Sequence, residues 1–508
     1  MLASNHKRIL RNTGMLYIRM LLAMVVGLYT TRVLLNVLGV DDFGIYFVVA
    51  GFVALLGFMQ GAMTTATQRY FAFDLGQNNG HNLRSLFNTS LQVHALLVIC
   101  IVLIAETAGY WFVSNRLTIP EGRLDAALLA YHLSVASSAV TVMTVPLTAM
   151  LMANERMGLF ALMSMADILL KLAAVLLLPY LAYDQLSMYA GLLLVVSLLT
   201  LSGYLLINRA IFPAVHLQWG VDKKSFQSML GFTAWNTWGN LAAALAEHGN
   251  NVLLNIFFGP AVNAGRSIAT QANGALNQFV TNVQAAINPQ IVKLYAGGER
   301  EQMHTLVLRA AKYNFFILLA LALPVLLNTT ELLALWLVKV PPYATVFLQL
   351  TIIASLINSI SGPLMTSAQA TGHIRLYHSV VGGVLLLNVP VNYVLLSYGL
   401  PPETVLAVTI GLAVVALIAR LYIITPLIGL PVGLFLSRVA GKASLVALVA
   451  GIVATLTQIT PNGSLFILLF NLMAAMAVTL AVIWTLGLDG AERRNVASLL
   501  KSLKSRIR

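Results

Sequence analysis

Eight ionisable side chains within the apolar runs of this 508-residue chain invite scrutiny: Arg19, Arg32, Lys171, Arg266 and Arg420 against Glu106, Asp167 and Glu247. A charge at the centre of a bilayer costs about 2.5 to 3.5 kcal/mol on translocon scales, so each needs a partner, a wet cavity or an interface within reach. The cations are in excess, and a cation-rich cavity suits a phosphate-bearing cargo, because Arg offers phosphate oxygens a planar fork and Lys a point charge. Arg19, Arg32, Arg266 and Arg420 also lie near the ends of their apolar runs. Each can therefore face such a cavity or extend to water along its aliphatic stem.

Carboxamides form the second pattern. Over residues 263–289, Arg266, Asn273, Asn277, Gln284 and Asn288 fall within an arc of about 60° on a helix, with Gln271, Gln278 and Asn282 on a second strip. The preceding run answers with Asn236, Asn240, Glu247, Asn251 and Asn255 on one face. A carboxamide both donates and accepts, so a ladder of them can trade hydrogen bonds with successive sugar hydroxyls. The structural alternative is adhesion between helices, which Asn and Gln also provide in membranes. The ladder is dense enough to point to cavity lining. A hydroxyl stripe at Ser134, Ser137, Ser138, Thr141, Thr144 and Thr148 reads as close helix packing.

Asp167 and Lys171 stand four apart, acid first, and can neutralise each other on one helix face or serve as a coupling element that a phosphate disrupts. Glu247, beside His248, is the other deep acid and the preferred site for an H+ or Na+ that drives movement. His94, His132 and Glu106 read as satisfied interior residues. The sequence has no GxxxxGK[ST] loop, no HExxH and a single cysteine, Cys100. No cofactor or metal is expected, and neither ATP hydrolysis nor enzymatic chemistry is implied.

Positioning these groups requires membrane helices. With 59% hydrophobic and 9% charged residues, most of the chain must face lipid. Fourteen apolar runs are long enough to span: 15–38, 44–66, 86–113, 125–150, 158–180, 187–208, 230–257, 263–289, 311–328, 345–366, 378–397, 403–424, 443–460 and 465–486. If the N-terminus is inside, 22 of the 30 Lys and Arg fall in inside segments, Lys312 at the edge of the ninth run being counted with the inside loop before it, and only Arg116, Arg123 and Lys339 in outside loops. The net charge of +13 thus follows from topology and attraction to anionic inner-leaflet lipid, with no implication of nucleic-acid binding.

The runs are duplicated. VLLNVLG at 33–39 recurs as VLLNIFFG at 252–259, and PLTAMLMANER from Pro146 is echoed by PLMTSAQATGH from Pro363, at offsets of 219 and 217. Such internal repeats signal a transporter built of two lobes that rock around a central cargo site. The expected organisation is an inside N-terminus (1–14), an N-lobe (15–208), an inside linker (209–229), a C-lobe (230–426), two added spans (427–486) and a basic amphipathic inside tail (487–508). A metabolite or drug antiporter and a polytopic glycan polymerase are the competing readings. The first would favour acidic lobes, and the second a large outside loop.

The stretches YTTRVLLNVLGVDDFGIY (29–46), GAMTTATQRY (61–70), LLNIFFGPAVNAGRSIA (253–269), INPQIVKLYAGG (287–298) and SGPLMTSAQATGHIRLY (361–377) resemble the Wzx-type polysaccharide exporters of the MOP superfamily. The resemblance implies an all-α, 12-plus-2 architecture with a central cavity in a bacterial cytoplasmic membrane. It also implies an undecaprenyl-pyrophosphate-linked oligosaccharide of O-antigen or capsule type as cargo, and other polysaccharide-assembly membrane proteins as possible partners. MurJ-like relatives within that superfamily carry functional arginines on their first and eighth helices, which marks Arg19 and Arg266. The second span, without Lys or Arg, departs from their pattern.

Overall fold

The computed structural model describes residues 2–56, 63, 67–68, 70–71, 74–75, 82–154, 156–213, 226–227, 244–371, 374–459 and 464–494. Among them the regular elements are helices, with no strand. Lipid offers no hydrogen-bond partner, and a helix satisfies its backbone internally. Eleven of these helices are long and apolar enough to cross a membrane, so the protein is a multi-pass, all-α membrane protein.

The third to sixth expected spans appear as Leu83–Arg116, Leu124–Ala153, Met157–Tyr180 and Gln185–Ile211, and the ninth to fourteenth as Arg300–Leu327, Ala344–Ala370, Leu376–Ser397, Thr404–Ile428, Val432–Leu456 and Leu465–Gly487. The first two run together in a helical stretch, Leu2–Leu56, that is broken at Gly39. The eighth is the helix Pro260–Ala296, 37 residues long. Its arginine and amides leave it too polar to count among the eleven. The far part of the second span, the near part of the seventh, most of the inter-lobe linker and the tail from 495 onward lie outside the described residues.

The repeated phrase has a structural counterpart. Both copies end on a glycine with positive φ, 75° at Gly39 and 80° at Gly259, a conformation that strains any residue with a Cβ. The chain thereby leaves one helix and starts the next at the same point of each copy. Beyond the first break, Gly44 lies so close to the Pro260 carbonyl that a Cβ would overlap it.

The chain packs as two compact units: 1–268 with 337–344 and 386–404, and 269–336 with 345–385 and 405–508. In the first, Leu124–Ala153 packs along Gln185–Ile211, and Leu2–Leu56 lies against Met157–Leu177. One core there joins Ile45, Val48, Val49 and Val53 to Ile101, Ala105, Ala127, Ala130 and Tyr131. In the second unit, Arg300–Leu327 packs against Gly362–Ala370, Gly441–Leu456 and Leu465–Val482.

One side chain ties three segments of the first unit together. Arg123 donates through Nη1 to Asp184 Oδ2 at 2.5 Å and through Nε to Asp42 Oδ1 at 2.8 Å, while Nη2 pairs with Asp42 Oδ2. Asp184 also caps Gln185–Ile211, its Oδ1 accepting from the Ser187 N–H at 3.0 Å. Burial pushes the Asp184 carboxyl up, but the Ser187 N–H and the Arg123 guanidinium outweigh it and hold the group below the usual carboxylate range. A depressed carboxyl stabilises the fold above its unfolded value and loses that contribution as pH falls through its folded value. Acid melting of the detergent-solubilised protein should therefore be steeper below about pH 4 for wild type than for Asp184→Asn. Asp184→Ala, which removes the cap, should cost about 1 kcal/mol at neutral pH. Parallel acid profiles for wild type and Asp184→Asn would contradict the clamp.

Candidate substrate cavity and coupling residues

Arg266 is positioned by the break at Gly259. The helix over 244–258 ends there, Pro260 starts the next helix, and Arg266 follows in its second turn. The side chain is 8% exposed, and the Glu247 carboxylate acts on it electrostatically, as it does on His248. Glu247 itself is exposed. His248 is half-buried and packs toward Gly51, where a Cβ would stand 3.7 Å from Nδ1. Asn251 joins the two helices: its carbonyl accepts from Asn263 Nδ2 at 2.7 Å, while its own Oδ1 is buried with no hydrogen-bond partner. Three sequence-predicted residues, Glu247, His248 and Arg266, thus form one electrostatic group within the first unit. Asn236 and Asn240, from the same predicted face, lie outside the described residues.

The amide ladder of Pro260–Ala296 is engaged with neighbouring helices. Ser355 Oγ accepts from Asn273 Nδ2 at 2.9 Å and from Asn277 Nδ2 at 3.2 Å, and Asn277 Nδ2 also reaches the Asn273 carbonyl at 3.0 Å. Asn288 Oδ1 accepts from Thr366 Oγ1 at 2.9 Å, and Gln284 Oε1 from Asn314 Nδ2 at 3.4 Å. These bonds hold the ladder to the helices Ala344–Ser359, Gly362–Ala370 and Arg300–Leu327. Each of the four amides is only half-buried, and Asn273 Oδ1 has no hydrogen-bond partner. Asn255, by contrast, is fully consumed, its Oδ1 and Nδ2 pairing with the Thr118 N–H at 2.8 Å and carbonyl at 3.3 Å.

A second charged group gathers in the first unit. Lys171 Nζ donates to Asp167 Oδ2 at 2.7 Å and Thr200 Oγ1 to Asp167 Oδ1 at 3.2 Å, which occupies both carboxylate oxygens. The Arg19 guanidinium stands 5.3 Å from the centre of the Phe160 ring, held by cation–π attraction. Arg19 and Asp167 both act electrostatically on Tyr204. Packing of Leu2–Leu56 on Met157–Leu177 therefore brings Arg19, Asp167 and Lys171 together. Arg32 is exposed, one turn before the exposed Asn36.

Three arrangements escaped the sequence reading. Lys312, counted there with an inside loop, is buried and donates to Glu492 Oε2 at 2.7 Å. Arg420 is 9% exposed and donates from Nε to the Tyr377 hydroxyl at 3.1 Å, with Nη1 buried and unbonded. Glu106, assigned no role, meets His132 at 2.7 Å. Among the described residues no cluster of three or more His, Cys, Asp or Glu could hold a metal. Only the charged residues themselves carried any sequence signal for these contacts, because each partner lies on another helix.

No family model matches the sequence, and no curated protein does. Solved structures do. The lipid II flippase MurJ, in an inward closed conformation, superposes with a TM-score of 0.69 at 16% identity, over 92% of this chain and 97% of that one. An inward-facing multidrug resistance MATE family transporter gives 0.60 at 16% identity, over 80% and 98%. A MOP superfamily transporter from Pyrococcus furiosus, described as having a binding pocket of reverse polarity, gives 0.56 at 16% identity, over 82% and 96%. At 16% identity these likenesses show the fold: this chain has the architecture that the MurJ flippase and the MATE transporters share.

Proposed function

We propose that the protein is a flippase for undecaprenyl-pyrophosphate-linked oligosaccharide, an O-antigen, capsule or exopolysaccharide repeat unit. It would act in a bacterial cytoplasmic membrane with both termini inside. The observation that carries this reading is the charge balance within the spans. Within the predicted spans Arg19, Arg32, Lys171, Arg266 and Arg420 outnumber Glu106, Asp167 and Glu247, and the Asp167 carboxylate is already engaged by Lys171. Such an excess favours an anionic cargo. The likeness in fold and length to a lipid II flippase supports a lipid-linked one.

In this reading two lobes rock around a cavity, and the pyrophosphate engages Arg19, Arg32 and Arg266. The half-buried amides Asn273, Asn277, Gln284 and Asn288 exchange their helix–helix bonds for sugar hydroxyls as the cavity opens, and Asn240 and Asn251 join them on the cargo. Glu247 and His248 carry the coupling ion, H+ or Na+, and the Asp167–Lys171 pair responds to cargo phosphate. Anionic inner-leaflet lipid holds the basic tail. A MATE-like antiporter of organic cations is the second reading, supported by the likeness to multidrug transporters of that fold. Pocket polarity separates the two. Thermal stability of the purified protein should rise with an undecaprenyl-pyrophosphate-linked oligosaccharide and stay unchanged with a lipophilic cation. The reverse would favour the antiporter.

A further inference from the structure

Three spans meet end to end in the second unit. Arg300–Leu327 and Val432–Leu456 begin there and Leu465–Gly487 finishes there, on the side that the distribution of Lys and Arg marks as inside. The helix Val432–Leu456 widens into a π-turn at Leu436–Ala440, which carries Arg438. The last span closes on another, Ile483–Gly487, which leads to Asp489. Such turns are rare and lie frequently at functional sites. Both are packed into place: Leu436–Ala440 lies against Arg300–Leu327, and a Cβ on Gly487 would come within 2.8 Å of the Phe316 ring.

Between these ends lies a cavity of about 110 Å³, lined by Thr305, Arg309, Lys312, Arg438, Asp489 and Glu492. Lys312 and Glu492 are its buried part, and Arg309, Arg438 and Asp489 are exposed at its mouth. Lys312 pairs with Glu492 and Lys442 with Asp489, which leaves two guanidinium groups over. Arg309 comes no nearer to a carboxylate than 3.9 Å. Arg438 acts on Asp489 electrostatically and forms no ion pair within 4 Å among the described residues. Thr305 and Arg309 also line a wider recess of about 710 Å³, where Gln290 and Gln302 offer neutral polar groups beside Lys293, Glu299 and Glu301. The flank beside the two π-turns is apolar and exposed, at Leu436, Trp484 and Leu486. A tryptophan so placed favours the headgroup level of a bilayer.

We propose that this cavity binds the phosphate of an anionic phospholipid of the inner leaflet. Two guanidinium forks without a close carboxylate, on different helices and facing one small cavity, match phosphodiester oxygens in shape and charge. Arg309 and Arg438 take those oxygens, and Thr305, Gln290 and Gln302 accept or donate to headgroup hydroxyls in the wider recess. The acyl chains lie along Leu436, Trp484 and Leu486. Free inorganic phosphate shares the charge but gains nothing from that apolar flank. The bound lipid bridges Arg300–Leu327 to the C-terminal spans beside the Lys312–Glu492 pair. Side chains at fixed span ends set this site apart from the general attraction of a basic tail to the membrane, and it stands whatever the cargo is.

Native mass spectrometry of the full-length protein, titrated with phosphatidylglycerol, phosphatidylcholine or inorganic phosphate, tests this directly. Wild type should prefer phosphatidylglycerol. Its affinity should fall about five- to thirtyfold in R309Q/R438Q, the worth of two exposed charge contacts. It should stay within about twofold of wild type in R156Q/R209Q, which removes two exposed arginines elsewhere on the same predicted face. R309Q and R438Q singly should each weaken binding, and they decide the matter if the double variant fails to insert. Unchanged affinity in R309Q/R438Q would overturn the site. Equal loss in R156Q/R209Q would do the same, by reducing the effect to diffuse attraction. Binding of inorganic phosphate with no preference for phosphatidylglycerol over phosphatidylcholine would overturn the lipid as its occupant.

Discussion

Replacing Glu492 by alanine is expected to destabilise the protein by about 3 to 5 kcal/mol, the usual cost of removing one partner of a buried ion pair. Lys312 and Glu492 have side chains only 5% and 4% exposed and meet at 2.7 Å. Glu492 Oε2 also accepts from the Asp489 N–H at 2.8 Å, which caps the short helix after the last span. Around this pair stand Arg309, 3.9 Å from Glu492, and Asp489, 3.8 Å from Lys312 and bonded to Lys442. Lys442 first, then the nearby Lys312 charge, hold the Asp489 carboxyl below its usual range. Without Glu492, the Lys312 ammonium keeps only that longer contact. The helix Arg300–Leu327 would then lose its polar anchor to the C-terminal spans. Unfolding in detergent reads the loss, and a Lys312→Met, Glu492→Leu double variant should recover most of it because both charges leave together. A single variant as stable as wild type would show that the pair is dispensable.

Arg266→Ala is expected to lower lipid-linked oligosaccharide export by about 10- to 100-fold, the worth of one charge-assisted hydrogen bond, while membrane insertion stays intact. The side chain is buried near the Glu247 carboxylate in this conformation, so cargo must meet it after the helices 244–258 and Pro260–Ala296 have shifted. Arg266→Lys should restore part of the activity, since the charge returns without the planar fork. Recovery in Arg266→Lys but not in Arg266→Gln would place the positive charge on the cargo, and normal surface glycan in Arg266→Ala at native expression would remove it from the site.

How much of this was legible in advance depends on the range of the signal. Span limits follow from local hydropathy, and the Gly39 and Gly259 breaks follow from a phrase repeated with its terminal glycine. The Asp167–Lys171 contact follows from four-residue spacing on one helix. Periodicity also gathers Asn273, Asn277, Gln284 and Asn288 on one strip, but it is silent on what faces that strip. Ser355, Asn314 and Thr366 lie far along the chain on other helices, and they engage amides that the sequence alone assigned to a cavity. Lys312 and Glu492 are 180 residues apart, and Glu492 sits in a segment whose basic residues drew it into a surface tail. Glu106 and His132 belong to adjacent spans, and no spacing rule within one helix foretells their approach to 2.7 Å.

The central claim is that this fold carries an anionic lipid-linked glycan across the membrane. Its most direct test is translocation in proteoliposomes loaded with undecaprenyl-pyrophosphate-linked oligosaccharide, read by an impermeant glycan-modifying probe added outside. Protein-dependent exposure of the glycan, with no uptake of lipophilic cations by the same vesicles, is the predicted result. Cation uptake with no glycan exposure would contradict the claim and move the protein to the antiporters.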